Sequence, residues 1–354
     1  MGNHINTNKR GRITACNKHR HHAKKQTSKT GNLEERIKKL KSLDAILRQP
    51  NSGFNGGVAR YYSDMVNHVF YCLGHHAIKQ GIRVWKLYAS SFIVQTPRCN
   101  IALDFCEGPN SDLFGKTSPA FSLTRRQIEQ FAGLVKYSFH THQHHDHISY
   151  FPTAALARRR RKIFITQENL RLWKKEPFAK NMSVLKEGTT VFEDLEVETL
   201  YGCQHMESGQ VECYAYNIKI GDIRILVKGD IFDGREFAVL CDKLPKAAKK
   251  VDLYLSSSWT ANGPDIIQQV TRKFDPFFIP AHEWEFTHRP ADTEGVATQS
   301  YGDLIHQFKT KIKHNKATVL SWGEAIEYIH KGCSSDRAPV DSRARDKDPK
   351  PTGN

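Results

Sequence analysis

The sequence predicts a mixed α+β domain, with sheets inside and helices outside, behind an N-terminal helical extension. Three observations carry that prediction. Short β-branched and aromatic runs crowd the chain from Ile82 onward, helical segments lie among the later ones, and two longer helical patterns precede them all.

Taken in order, residues 1–31 contain KRGR, KHRHH and KKQTSKTG with almost no aliphatic side chains. Such a basic leader buries too little apolar surface to offset its ordering entropy and is expected to be disordered. Residues 32–81 form the helical extension. In NLEERIKKLKSLDAILRQP, Leu33, Ile37, Leu40, Leu43 and Leu47 recur at helical spacing, Asn32 suits the cap and Pro50 the stop. A second helical pattern runs from Ala59 to Gly81. The pair is expected either to pack on the main domain or to be offered to a partner.

The main domain spans 82–330. VWKLYASSFIVQT and CNIALDFCEG read as strands separated by a Pro-containing turn, and FAGLVKYSFH ends another. TAALARRRRK follows Pro152 as a short helix, and the four arginines, 158 to 161, suit its C-terminal dipole. KIFIT, LEVETLYG, CYAYNIKI, IRILVKGD, VDLYLSSS, PFFIPAH and ATVLSWG continue as strands, with a hairpin at Ile220-Gly221-Asp222. IIQQVTRKF and YGDLIHQFKTKIKH supply helices between the later strands. Residues 331–354 read as a disordered tail.

With 354 residues, 39% of them hydrophobic and 19 Phe among them, the chain can bury a sizeable core. No uncharged apolar run reaches membrane-spanning length, and no secretory layout opens the sequence. MGNHIN begins like a myristoylation site, but Asn6 stands where Ser or Thr is wanted. Eight scattered cysteines with no CxxC pair point to reduced thiols, hence to a cytoplasmic protein. The net charge of +16 is concentrated at the N-terminus: the first 50 residues carry 13 Lys/Arg against 3 Asp/Glu. That leader suits contact with nucleic acid or simple solvation.

The chemistry concentrates in HTHQHHDHISY, residues 140–150, where five histidines and one aspartate fall within eight positions. One register stands out. On extended backbone, His142 and His144 point to the same side and can grip one ion together. Asp146 and His147, past the turn, can offer an oxygen and a nitrogen to a second ion. Of the remaining imidazoles, His140 falls on the strand and His145 breaks the register.

This THxHxDH pattern resembles the metal-binding signature of the metallo-β-lactamase superfamily, over about residues 82–328. The resemblance implies an αβ/βα four-layer sandwich. It also implies further ligands at later strand ends, for which His205 in LEVETLYGCQH, Asp230 in IRILVKGD and His282 in PFFIPAH are candidates, with Asp233 competing with Asp230. On that carry-over His142, His144 and His205 hold one metal, Asp146, His147 and His282 hold a second, and Asp230 bridges them. Imidazoles and carboxylates suit two divalent ions, Zn²⁺ first and Mn²⁺ or Fe²⁺ next, which lower the pKa of water towards about 7. Asp146 is the candidate catalytic group, orienting the nucleophile or passing a proton to the leaving group. Glu283, His288 and Arg289 are candidates for substrate contact, or for a hydrogen-bonded surface loop.

His144 stands where oxygen-reducing diiron relatives have Glu, and GCQHMES lacks the Pro-Gly-His-Thr stretch of glyoxalase II-like thioesterases. VWKLYASSFIVQT leading into IALDF looks most similar to the Zn-dependent hydrolases grouped with ascorbate-6-phosphate lactonase. The expectation is a metal-dependent hydrolase of a small anionic ester, lactone or phosphodiester. A nuclease recruited by the basic leader, or a non-catalytic binding protein on the same fold, are the alternatives.

Overall fold

The computed structural model describes residues 30–49, 55–109, 122–206, 209–231, 234–257, 263–286 and 299–329. The leader as far as residue 29 and the tail from residue 330 lie outside them. Two helices come first, α1 (Thr30–Leu47) and α2 (Gly56–His75). Helix α1 thus starts two residues before the predicted Asn32. In α2, capped by Asn55 accepting from the Gly57 N–H, Val58, Tyr62, Val66, Val69 and Leu73 share one buried face.

Both helices pack on the main domain. Tyr62 meets Trp322 edge to face with ring centroids 5.4 Å apart, and Phe70 stacks on Phe131. From α1, Arg36 forms a two-pronged ion pair with Glu324, both contacts 2.7 Å. Asp44 accepts from the Trp284 indole at 2.7 Å and from the backbone N–H groups of Tyr301 and Gly302. The extension therefore holds the turn that carries Trp284.

The strands and helices that follow are β1 (Ile82–Lys86), β2 (Phe92–Gln95), β3 (Asn100–Leu103), α3 (Arg125–Leu134), β4 (Tyr137–Phe139), α4 (Tyr150–Arg158), β5 (Lys162–Phe164), α5 (Gln167–Leu172) and β6 (Met182–Ser183). After them come β7 (Gly188–Val191), β8 (Glu196–Met206), β9 (Gly209–Ile220), β10 (Ile223–Val227), α6 (Gly234–Asp242), β11 (Leu253–Ser257), α7 (Gly263–Phe274), β12 (Phe277–Ala281), α8 (Tyr301–Gln307), α9 (Lys309–Lys313) and β13 (Ala325–Tyr328). One sheet has the order β13-β1-β2-β3-β4-β5-β6, the other β12-β11-β10-β9-β8-β7.

Alternation within the strands builds the layers. Ile101 and Leu103, Val94, Ile225 and Val227 enter a core shared by the two sheets, whereas Ala102, Ile93 and Leu226 join the second cluster, where the helices pack. Each buried Ile, Leu or Val side chain among them contributes about 1.5–3 kcal/mol through burial. The result is an αβ/βα sandwich. Strands β3 to β6 run parallel, as do β10 to β12, and helices α3, α4, α6 and α7 make the crossovers. In such sheets the loops at the carboxyl ends of the strands gather on one side, where sites form.

Two expectations are corrected. ATVLSWG is not a sheet strand: only Ala317 makes a single bridge, to Phe278, and the edge strand is AIEY instead. Helix α3 occupies RRQIEQFAGL, where only a following strand was expected. Its start is marked by a capping box between Thr124 and Gln127, a local signal present in the sequence. The hairpin at Gly221 is as expected, with Ile220 opposite Ile223 and Gly221 at φ +58°. No helix among the described residues is long and apolar enough to cross a membrane.

Candidate metal centre

Four strand ends converge. Strand β4 runs into the loop 140–149, β10 into Lys228-Gly229-Asp230, β12 into His282, and β3 into Asp104. One ligand atom from each of Asp146, His147, Asp230 and His282 lies within 4.8 Å of the others, and all four residues are buried. The Asp230 carboxylate spans two imidazoles: Oδ1 lies 3.2 Å from His282 Nε2, and Oδ2 lies 3.5 Å from His147 Nε2. Asp146 Oδ2 lies 3.2 Å from His147 Nε2 and 3.5 Å from His282 Nδ1.

Carboxylates orient both rings. His147 Nδ1 donates to Asp104 Oδ2 at 2.9 Å, and His282 Nδ1 donates to Glu285 Oε2 at 2.8 Å. Each ring is thereby turned with Nε2 towards Asp230, the arrangement that holds metal-binding histidines elsewhere. Asp104 also accepts from the Thr141 N–H at 2.7 Å and the Thr141 hydroxyl at 2.9 Å. With its proton committed to Asp104, Thr141 Oγ1 is left to accept from His142 Nδ1, 3.1 Å away. That leaves the lone pair on His142 Nε2, a buried atom with no hydrogen-bond partner.

The electrostatics follow from this packing. Burial alone would raise the Asp230 carboxyl, but His282 and His147 outweigh it and hold it well below the usual carboxylate range. Burial opposes charge on His282, yet Asp230 and Glu285 carry it up to about 10. His147 is raised in the same way, against burial, by Asp146, Asp230 and Asp104. His142 goes the other way: burial, then the neighbouring His147, push it well below the ordinary imidazole value. A buried cluster of acids thus sits among nitrogens that either carry a proton or offer a lone pair. This donor set fits a divalent cation.

Gly229 makes the approach of Asp230 feasible. It sits at φ +61°, and a Cβ there would lie 2.7 Å from Thr141 Cβ and 2.9 Å from Cys213 Sγ. Gly229→Ala is therefore expected to cost about 1–3 kcal/mol of stability. Urea unfolding would check this.

The histidine-rich loop and two later strand ends meet as the sequence suggested, but not every candidate joins them. His144 is half-buried, its ring centroid 4.6 Å from that of His142, and His145 is also half-buried. His140 is buried, its Nδ1 donating to the His147 carbonyl. His205 stands apart from the group. It lies on the exposed face of β8, 47% accessible, bonded to Glu236 and Gln210, because strand alternation turns its neighbour Gln204 inward instead. Glu283 is fully buried, 3.0 Å from Lys86, and is not part of a surface loop. His288, Arg289 and Asp233 lie outside the described residues.

Sequence reasoning missed Asp104, Ser90, Glu285, Gln204 and Lys86. Asp104 had a readable signal, since it ends the strand IALD as Asp230 ends IRILVKGD. Ser90 had none; the β1–β2 loop brings its hydroxyl against His282 Nε2 and within 3.3 Å of His147 Nε2. Replacing Asp104 with Asn puts an amide that can donate where His147 now donates. Metal affinity in Asp104→Asn is expected to fall by about 10–100-fold, measurable by competition with a chelating dye.

No family model matches the sequence, and a search of curated proteins finds no match either. Solved structures do resemble it. A possible metal-dependent hydrolase from Veillonella parvula aligns with a TM-score of 0.53 at 13% identity, over 71% of this chain and 100% of that one. The isothiocyanate hydrolase from Delia radicum gut bacteria gives 0.52 at 12% identity, over 69% and 98%. Igni18, a metallo hydrolase from the archaeon Ignicoccus hospitalis, gives 0.50 at 16% identity, over 71% and 100%. At such identities the likeness is one of fold. The two-sheet sandwich is the metallo-β-lactamase fold.

Proposed function

We propose that this protein is a metal-dependent hydrolase acting on a small anionic ester, lactone or phosphodiester. The observation that carries the reading is the buried convergence of Asp146, His147, Asp230 and His282 at the carboxyl ends of the strands. A divalent ion in such a donor set, Zn²⁺ first and Mn²⁺ or Fe²⁺ next, supplies acidified water at neutral pH and positive charge for a developing oxyanion.

The chain's own residues do the rest. Asp104 and Glu285 hold the Nδ1 protons of His147 and His282, so neither ring turns. Asp230 sets the separation of the two Nε2 atoms. Asp146, lying between His147 and His282, is placed to accept a proton as water attacks and return it to the leaving group. The small-substrate reading draws on the resemblance of VWKLYASSFIVQT and IALDF to the ascorbate-6-phosphate lactonase group.

The test is a panel of chromogenic phosphodiesters, phosphomonoesters and lactones, with single-stranded RNA and DNA alongside, assayed with Zn²⁺, Mn²⁺ and Fe²⁺. Turnover of one small-molecule class, abolished by a chelator and restored by metal, is the expected result. Cleavage of nucleic acid alone would replace the substrate assignment with a nuclease. Binding of metal without turnover of any class would favour a non-catalytic role on the same fold.

A further inference from the structure

Where His205 was expected to face the site, its neighbour Gln204 does. Gln204 is 3% exposed, and its Nε2 reaches Asp230 Oδ2 at 3.5 Å. Its amide oxygen Oε1 is buried with no hydrogen-bond partner, as is His142 Nε2. A chain of contacts links the two: Gln204 Nε2 lies 3.5 Å from Asp230 Oδ2, Asp230 Oδ2 lies 3.5 Å from His147 Nε2, and the His147 ring centroid lies 3.9 Å from that of His142. An unpaired buried amide oxygen is costly, and nearby cationic charge removes that cost. His205 meanwhile faces out, already engaged by Glu236.

We infer that Gln204, through its amide oxygen, completes a second metal position with His142 and His144, and that His205 plays no part in it. This rests on the hydrolase reading above, and concerns the number and kind of ions the site holds. Two consequences follow from the ligand chemistry. An amide oxygen is a neutral, hard donor and a weaker ligand for Zn²⁺ than imidazole. This position therefore binds more weakly than the one built from Asp146, His147, Asp230 and His282, and it favours Mn²⁺ over Zn²⁺ relative to an imidazole-completed site.

The experiment is metal titration of the full-length, chelator-stripped protein with Zn²⁺ and with Mn²⁺, by calorimetry, with metal content after dialysis measured by mass spectrometry. The wild type is expected to take one tight and one weaker equivalent. Gln204→Leu should lose the weaker equivalent and keep the tight one, which also reports that the variant is folded. Gln204→His should tighten the weaker Zn²⁺ equivalent on the order of tenfold or more, since altering even a supporting group shifts metal affinity by about 10–100-fold. His205→Ala should leave both equivalents unchanged.

Loss of the weaker equivalent in His205→Ala would overturn the inference. So would its survival in Gln204→Leu, or a Gln204→Leu protein that has lost both equivalents while Gln204→His leaves the weaker one untightened. A wild type that takes a single equivalent overturns this inference alone. One that takes none overturns the hydrolase reading with it.

Discussion

Asp230→Ala is expected to strip the protein of tightly held metal and to lower hydrolysis by at least about a thousandfold in kcat/KM. The carboxylate contacts His147, His282 and Gln204, so its loss removes both a donor and the spacer between two imidazoles. Lewis-acid and water-activation effects supply several kcal/mol, and each 1.36 kcal/mol corresponds to tenfold in rate. A readout independent of turnover exists. In metal-free protein burial pulls His282 down while Asp230, then Glu285, carry it up to about 10; without Asp230 the imidazole should titrate distinctly lower. Imidazole titration by NMR would show this. Unchanged metal content in Asp230→Ala would remove the basis for the site.

Lys86→Met is expected to destabilise the fold by about 3–5 kcal/mol, the usual consequence of breaking a buried ion pair from one side. Lys86 and Glu283 are inaccessible, 3.0 Å apart. Burial lowers the lysine and raises the Glu283 carboxyl to about 7, so each charge depends on the other being present. Lys86 Nζ also donates to the carbonyls of Leu87 and Ala89, and the His282 N–H donates to Ala89. The pair therefore pins the Ser90 loop to the turn that carries His282. Adding Glu283→Gln to Lys86→Met should recover part of the lost stability, since no uncompensated carboxylate remains. Urea denaturation of the three variants would measure it. Additive losses in the double variant would show that the pair is not coupled.

These variants also mark where sequence reading succeeds. Local information was enough to single out the loop 140–147, of which the fold gathers Asp146 and His147 with Asp230 and His282. It was enough for Asp230 and His282, each of which directly ends a β-rich run that could be counted off in the sequence. It was enough for most strands, because burial on both faces makes them short continuous apolar runs. It failed for ATVLSWG, where apolar residues serve packing and pairing stops at the single Ala317 bridge. It also failed for α3, where apolar positions were read as the approach to a strand although the capping box marks a helix start.

What the sequence by itself determined is the layered α+β class, the acid–imidazole loop and the strand ends that could supply its partners. What only the tertiary structure decided is which neighbour faces inward. Gln204 and His205 are adjacent, and both residue types can ligate metal. A strand points them to opposite faces, so the hairpin's register, fixed by pairing such as Leu200 with Ala215, buries one and exposes the other. The same holds for Glu283, whose role depends on Lys86 nearly two hundred residues earlier in the chain. Side-chain direction across a sheet, and charge compensation between distant segments, exist only once the chain has folded.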